Sequence, residues 1–287
     1  MLAIYKKELR AYFNGIIGWL FIAFFLAFIG IYFFLNNLFY GYTHFGYSLY
    51  SVGVIFILLV PMITMRIMAE ENRQKTDQLL FTSPVSVEKI ILGKFLAVIS
   101  VFGIVMLITC AYPLIMSAFG EVNLAMNYAA IAGFFLLGCA YFAIGTFISA
   151  LTESQAFAAV LTFVVVLFTC LMDGIASLFS TSARTAWLVF AFLLLLVAVL
   201  TWILMKSKLV TGVFILVSQG VLAGIYFLKP TLLEGSVAKV FDWFSVESRY
   251  EDFVNGVLNI SSVVYYISIV VLFLFLTIQA IKKRRWN

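Results

Sequence analysis

The sequence predicts an all-α, polytopic membrane protein with about eight membrane-crossing helices, and three observations carry that prediction. Hydrophobic residues make up 64% of the 287 positions and charged residues only 11%, against about 25% charged in soluble domains. The apolar residues fall in runs of about 20 or more, the length a helix needs to cross a hydrocarbon core of about 30 Å. The alternation of apolar and polar residues that a membrane barrel requires is absent. Continuous runs favour helices, because each backbone group is then satisfied within its own segment.

The first element is "MLAIYKKELRAYFN", residues 1–14. Leu2, Tyr5, Leu9 and Tyr12 recur at spacings of three and four while Lys6, Lys7 and Arg10 take other faces, which predicts a helix lying in the membrane interface. The next apolar run is too long for a cleaved signal peptide and lacks a small-residue cleavage site. Eight apolar runs then occupy 15–35, 51–69, 90–119, 128–151, 156–180, 185–205, 209–228 and 262–281. Gly212, Ser218, Gln219, Gly220 and Gly224 make 209–228 the weakest of them, so that it either spans or re-enters.

An even number of crossings returns both ends to one side, and the basic residues test which side that is. With both termini cytoplasmic, the inner pieces hold Lys6, Lys7, Arg10, Arg66, Arg73, Lys75, Lys89, Lys94, Lys206, Lys208, Lys282, Lys283, Arg284 and Arg285, leaving Arg184, Lys229, Lys239 and Arg249 of the 18 outside. The last outer segment, 229–261, carries the acids Glu234, Asp242, Glu247, Glu251 and Asp252. The net charge of +5 therefore reads as positive-inside bias with anionic-lipid contact. A nucleic-acid partner is not expected, because no soluble segment is long enough to present a basic face.

Chemistry-bearing residues are few. Cys110, Cys139 and Cys170 sit in three different apolar runs, which suits packed thiols better than a disulfide or a metal set. His44 is the single histidine and lies in "NNLFYGYTHFGYSLY", a stretch that reads as an interfacial aromatic belt. Glu70 and Glu71 resemble the paired glutamates of intramembrane metalloproteases, but the histidines such a site needs are missing. No G-x-S-x-G elbow occurs, and the Gly93-Lys94 pair lacks the upstream glycine and following Ser or Thr of a phosphate loop. No cofactor is expected in this chain. Asp173, near the outer end of the fifth apolar run, is the one candidate ionisable group of the membrane interior, and Asp173-Gly174 reads as a helix end or interface residue.

The most polar passage of the first half is "EENRQKTDQLLFTSPVSVEKIILGK", residues 70–94. The second apolar run leaves the membrane at Arg66, whose stem can snorkel, and is expected to continue into Glu70 and Glu71 as an exposed cytosolic turn. Thr76 can cap a short helix with Asp77 near its positive end and Leu79, Leu80 and Phe81 on its apolar side. Pro84 ends it by biasing Ser83 away from helical geometry, and Ser86 is placed to cap the next helix with Glu88 in its first turn. A short amphipathic helix held between two struts has the shape of a docking lever.

At these residues the chain resembles the permease subunits of ABC-2-type transporters. Their loop reads like R-x-x-A-E-E-x-x-x-G-T-x-E-L-L-x-T-x-P-V followed by a helix with G-K. Arg66, Ala69, Glu70, Glu71, Thr76, Leu79, Leu80, Thr82, Pro84, Val85, Gly93 and Lys94 match it. The tail from "DWFSVESRYEDFVNGV" to "KKRRW" resembles the gliding-motility and nitrous-oxide-operon branch, and residues 1–14 resemble the family's elbow helix. Likeness covers about 1–165 and 240–286. Lys75 and Gln78 depart from the family's Gly and Glu, and the pair 185–228 adds two helices to a six-helix core.

The resemblance implies one transmembrane domain over 1–287 with an elbow helix at 1–14, a coupling loop at 70–89, an extra pair at 185–228 and an outer segment at 229–261. It also implies a partner ABC ATPase that holds ATP and Mg, and a second permease chain forming a homodimer or a heterodimer with a homologue. The ATPase would meet Glu70, Glu71, Thr76, Leu79, Leu80, Thr82 and Pro84. Thr152, Glu153 and Ser154 in the turn "LTESQ" offer a second contact or simply a capped helix start. Export of an amphipathic or lipid-like substrate across the cell membrane is the leading expectation. An ion-coupled secondary carrier, or an intramembrane hydrolase or scaffold, are the alternatives.

Overall fold

The computed structural model describes residues 1–74, 86–178, 182–205 and 208–286. Every regular element among them is helical. The order is α1 (Leu2–Asn14), α2 (Ile16–Tyr32) running on into a π-helical turn, Phe33–Phe39, then α3 (Phe45–Val52), α4 (Phe56–Thr64) and α5 (Ala69–Gln74). After these come α6 (Val87–Thr109), α7 (Ala111–Ser117), α8 (Leu124–Leu151), α9 (Gln155–Leu178), α10 (Ala183–Met205) and α11 (Lys208–Leu228). The chain ends with α12 (Ser236–Phe244), α13 (Tyr250–Val254) and α14 (Ile260–Trp286).

Among the described residues, 6 helical stretches are long and apolar enough to cross a membrane: Ile16–Phe39, Phe45–Arg73, Val87–Ser117, Leu124–Leu151, Gln155–Met172 and Ile260–Lys283. The extra pair is helical too, 23 residues in α10 and 21 in α11, with shorter apolar stretches at Ala183–Leu195 and Ile215–Gly224.

Two compact units divide the chain. Residues Leu171–Ser245 form the smaller one, built on Ala186, Leu222, Leu233 and Val237. There Gln219 donates from Nε2 to the Ala191 carbonyl at 3.1 Å, tying α11 to α10.

The larger unit comprises Met1–Cys170 and Val246–Asn287. Its centre is α8, the most enclosed of the long apolar helices, 78% buried over its apolar window. In lipid no hydrophobic force drives helices together, so close packing and hydrogen bonds must do so. Rings supply the packing. Phe25, Phe56, Phe102, Phe134 and Phe142 are fully buried, and Phe56 lies 4.9 Å from Phe134 and 5.4 Å from Phe25, ring centre to ring centre. Edge-on and tilted pairs at such spacings each add about 0.5–1.5 kcal/mol beyond area burial.

Small residues let the backbones approach. A Cβ built on Gly145 of α8 would stand 2.5 Å from the Thr64 hydroxyl of α4. Gly145→Val should therefore destabilise the chain by about 1–3 kcal/mol through overpacking. Gly103→Ala, which faces open space, should leave stability unchanged or slightly raised. Thermal unfolding in detergent, followed by tryptophan fluorescence, checks both.

The second apolar run differs from expectation. It starts at Phe45 rather than 51, and it is not one continuous helix ending in an exposed turn. Pro61 lies inside α4, a 3₁₀ turn at Gly53–Ile55 interrupts the run earlier, and a turn at 65–68 separates α4 from α5. The "NNLFYGYTHFGYSLY" stretch is likewise more than an aromatic belt. Asn37 is buried, donates to the Tyr42 carbonyl at 2.7 Å and accepts from the Ser48 hydroxyl at 2.7 Å. Asn127 of α8 accepts the Phe45 N–H at 2.8 Å. His44 itself is exposed at the head of α3.

Candidate functional site

A dense polar constellation lies at the end of the larger unit where α1, α5 and the start of α6 meet. A cation eight residues into an apolar helix must find acceptors or lose its charge. Lys94 is such a residue, 2% exposed. Its ammonium carries three donors and no acceptor. It donates to the Ile67 carbonyl at 2.8 Å and lies 3.2 Å from Glu8 Oε1 and 3.0 Å from Glu71 Oε1. The three donors thus meet three acceptors from three elements: α1, the turn at 65–68, and α5.

Local sequence explains each approach. Gly93, next to Lys94, lets α1 lie close, since a Cβ there would stand 3.3 Å from both Ile4 Cγ2 and the Met1 carbonyl. Glu8 follows Ile4 by one helical turn and so projects on the same face of α1. Tyr5 adds a hydroxyl contact to Ser100 at 3.0 Å.

The break in the second span supplies the rest. Ser149 of α8 accepts the N–H groups of Met68 and Ala69 at 3.1 and 3.2 Å and donates to the Met65 carbonyl at 3.2 Å. Lys94 takes the Ile67 carbonyl. Backbone groups freed by a helix break inside a membrane protein need such partners, and here one hydroxyl and one ammonium provide them.

Around this centre the charges alternate. Lys7 reaches Glu71 at 3.5 Å, and Arg66 meets Glu70 at 2.7 Å one turn along. A cavity of about 60 Å³ opens between α1 and the end of α4, lined by Glu8, Tyr12, Arg66 and Glu70 among others. The Tyr12 hydroxyl donates to the Ile63 carbonyl at 3.2 Å. Burial, reinforced by Glu8, pushes its phenol well above the ordinary value of 10.0.

Of the sequence-predicted residues, Glu70 and Glu71 belong to this site, but Glu71 is not exposed as expected: its side chain is only 16% exposed because Lys94 draws it inward. Thr76, Leu79, Leu80, Thr82 and Pro84 lie outside the described residues. Ser86 heads α6 in the extended conformation but makes no side-chain cap. Thr152, Glu153 and Ser154 sit beside α5, where Asn72 donates to the Thr152 carbonyl at 3.3 Å. Ser154 accepts the Phe157 N–H at 3.3 Å, the capped helix start. The described start of the first predicted contact, α5, therefore adjoins the second at Thr152.

A second cluster went unread. Glu247, counted among the acids of the outer segment, is half-buried and accepts from the Cys170 thiol at 3.2 Å, with the Tyr141 hydroxyl 3.6 Å from the same sulfur. Val246, Tyr250, Phe253 and Val254 beside it are all buried. Their i, i+4, i+7, i+8 spacing was the signal available in the sequence. Asp173 lies on α9, and its side chain is outside the described set. Among the described residues, no three His, Cys, Asp or Glu side chains are grouped to hold a metal.

A family model described as ABC-2 family transporter protein matches residues 35–281, spanning both Glu71-Lys94 and the half-buried Glu247. The chain belongs to the ABC-2 family of transporter proteins. No curated protein matches it. As an ABC-2 permease it is a multi-pass membrane subunit of an ABC transporter, a class that generally lacks its own nucleotide site. Among the described residues, six helices are long and apolar enough to cross a bilayer.

Because Tyr12 holds its proton more tightly when folded, the unfolded chain releases it first above about pH 10. The Tyr12 contribution to stability is present below pH 10 and declines as pH rises beyond it. The permease's unfolding midpoint in denaturant should therefore fall between pH 8 and 10.5, and Tyr12→Phe should reduce that fall while costing about 0.5–1.5 kcal/mol at pH 8.

Proposed function

We propose that this permease is an exporter subunit driven by a separate ABC ATPase that docks on residues 76–84 of the coupling loop 70–89 and holds ATP and Mg. The observation that carries this reading is the loop's base. The loop leaves α5, and Glu71 of α5 shares the buried Lys94 ammonium with α1. A push on the loop is thereby delivered to membrane helices rather than lost in a flexible tether. Thr76, Leu79, Leu80, Thr82 and Pro84 form the docking surface, with Glu70 and Glu71 at its root and Thr152, Glu153 and Ser154 as the adjoining contact.

The working unit holds two permease chains on two ATPases. α1 is the elbow on the inner leaflet, its exposed Lys6, Lys7 and Arg10 against anionic lipid. The cargo is amphipathic or lipid-like, in keeping with a bundle lined by phenylalanine and tyrosine. The chain crosses the cell membrane eight times, α10 and α11 included, with both termini cytoplasmic.

Charging Leu79 and Leu80 together to Asp should abolish cargo-stimulated ATP hydrolysis by the co-purified complex at normal expression and unchanged melting temperature. Unaltered stimulation would remove the loop from the mechanism, and the native mass of the same complex checks the two-to-two stoichiometry.

Topology is tested separately. In a variant freed of native cysteines, a cysteine introduced at position 207 should resist an outside-only thiol reagent while one at 240 reacts. Labelling at 207 would rule out eight crossings.

A further inference from the structure

A helix that breaks at the membrane boundary and then resumes is a pivot, and whatever caps the break sets the angle of the resumed segment. Here the capping groups are Ser149 and Lys94, and the resumed segment is α5. Lys94 differs from Ser149 in one respect: besides the Ile67 carbonyl it holds a carboxylate on each side, Glu71 on α5 and Glu8 on α1. One buried ammonium is thus divided between two elements that have no covalent reason to move together.

We propose that Lys94 is a positioning residue for energy coupling, a shared cation that makes the docking of α1 and the angle of α5 interdependent across the pivot at 65–68. This rests on the reading of the chain as an ATPase-driven permease. A charge divided between two acids binds each more tightly when the other retreats. Displacement of α5 that lengthens the Glu71 contact therefore strengthens the hold on Glu8, and the reverse. Coupling of this kind is reciprocal: a change at Glu71 must be felt at α1 by the same factor that a change at Glu8 is felt at α5. The exposed Lys7 is the one other described residue bridging the pair, reaching Glu71 from α1 at 3.5 Å. Its 65% exposure makes it a weak link beside Lys94.

Hydrogen exchange of the full-length chain in detergent tests the proposal. All variants carry Lys7→Gln, so that the direct bridge is silent. Glu71→Gln should change exchange over residues 2–14 by about threefold to tenfold, toward the lower end of what interaction energies between groups in contact produce. Glu8→Gln should change exchange over 69–74 by a similar factor. Both effects should vanish in the Lys94→Met background, with exchange over 124–151 unaltered throughout as the control for an intact bundle. If the Lys94→Met chain fails to fold, the two carboxylate variants alone decide: indifference of either element to the other's variant overturns the proposal. Equal effects with and without Lys94 overturn it as well.

Adding a non-hydrolysable ATP analogue to the complex with the ATPase separates the proposal from the reading beneath it. A nucleotide-dependent change over both 69–74 and 2–14, with the second lost in Lys94→Met, supports both. A change over 69–74 without one over 2–14 overturns the Lys94 link. No change in either, with the reciprocity intact, refutes ATPase coupling through α5 and leaves the shared cation standing.

Discussion

An ammonium group in a low-dielectric interior has to be surrounded before its neighbours can settle. For that reason Lys94 gathers α1, α5 and the turn at 65–68 around itself. Leaving a buried charge without its partner costs about 3–5 kcal/mol, enough to reorganise whatever lies nearby. Three acceptors are needed, and helices do not offer free carbonyls along their length. The second span has to break so that the Ile67 carbonyl can turn to the lysine. α1 has to lie within reach of α6, which the glycine beside the lysine permits. α5 has to point its second glutamate inward. The geometry of three elements follows from one side chain.

The rest of the larger unit answers to a different constraint. Its centre is a stack of aromatic rings around α8, where ring contacts hold the helices together. The interior is close-packed, as in a soluble protein, and resists gradual deformation. The polar end is organised around a few directional bonds that can be exchanged. The larger unit thus joins a ring core that resists gradual deformation to a polar base held by directional bonds.

Helical character and the rough positions of the spans were legible because length and uninterrupted apolarity are one-dimensional properties. The family was legible in the 66–94 pattern. What escaped were properties of partners distant in the chain. Phe45 begins a span although "THFGYSLY" is polar, because Asn127, 82 residues away, satisfies its N–H. Glu71 read as exposed since nothing local pulls a glutamate inward; its partner Lys94 lies far along the chain, on the next span. The break at 65–68 depends on Ser149 and leaves little trace in the run itself beyond Pro61. The segment at 246–254 was the avoidable miss. It was read only as part of the acidic outer segment, while the spacing of Val246, Tyr250, Phe253 and Val254 already marked a buried face.

Chain order gives the lysine clasp one more significance. Glu8 and Glu71 both precede Lys94, so during vectorial synthesis the two carboxylates are made before the ammonium appears. A third span handed to the bilayer with an unpartnered lysine would slide outward to keep the charge in the headgroups. With both acids already waiting at the membrane boundary, the span meets its counter-ions on arrival and can be seated at its final depth. If the spans insert in chain order, the clasp that organises the mature base would also fix how deep the third span settles.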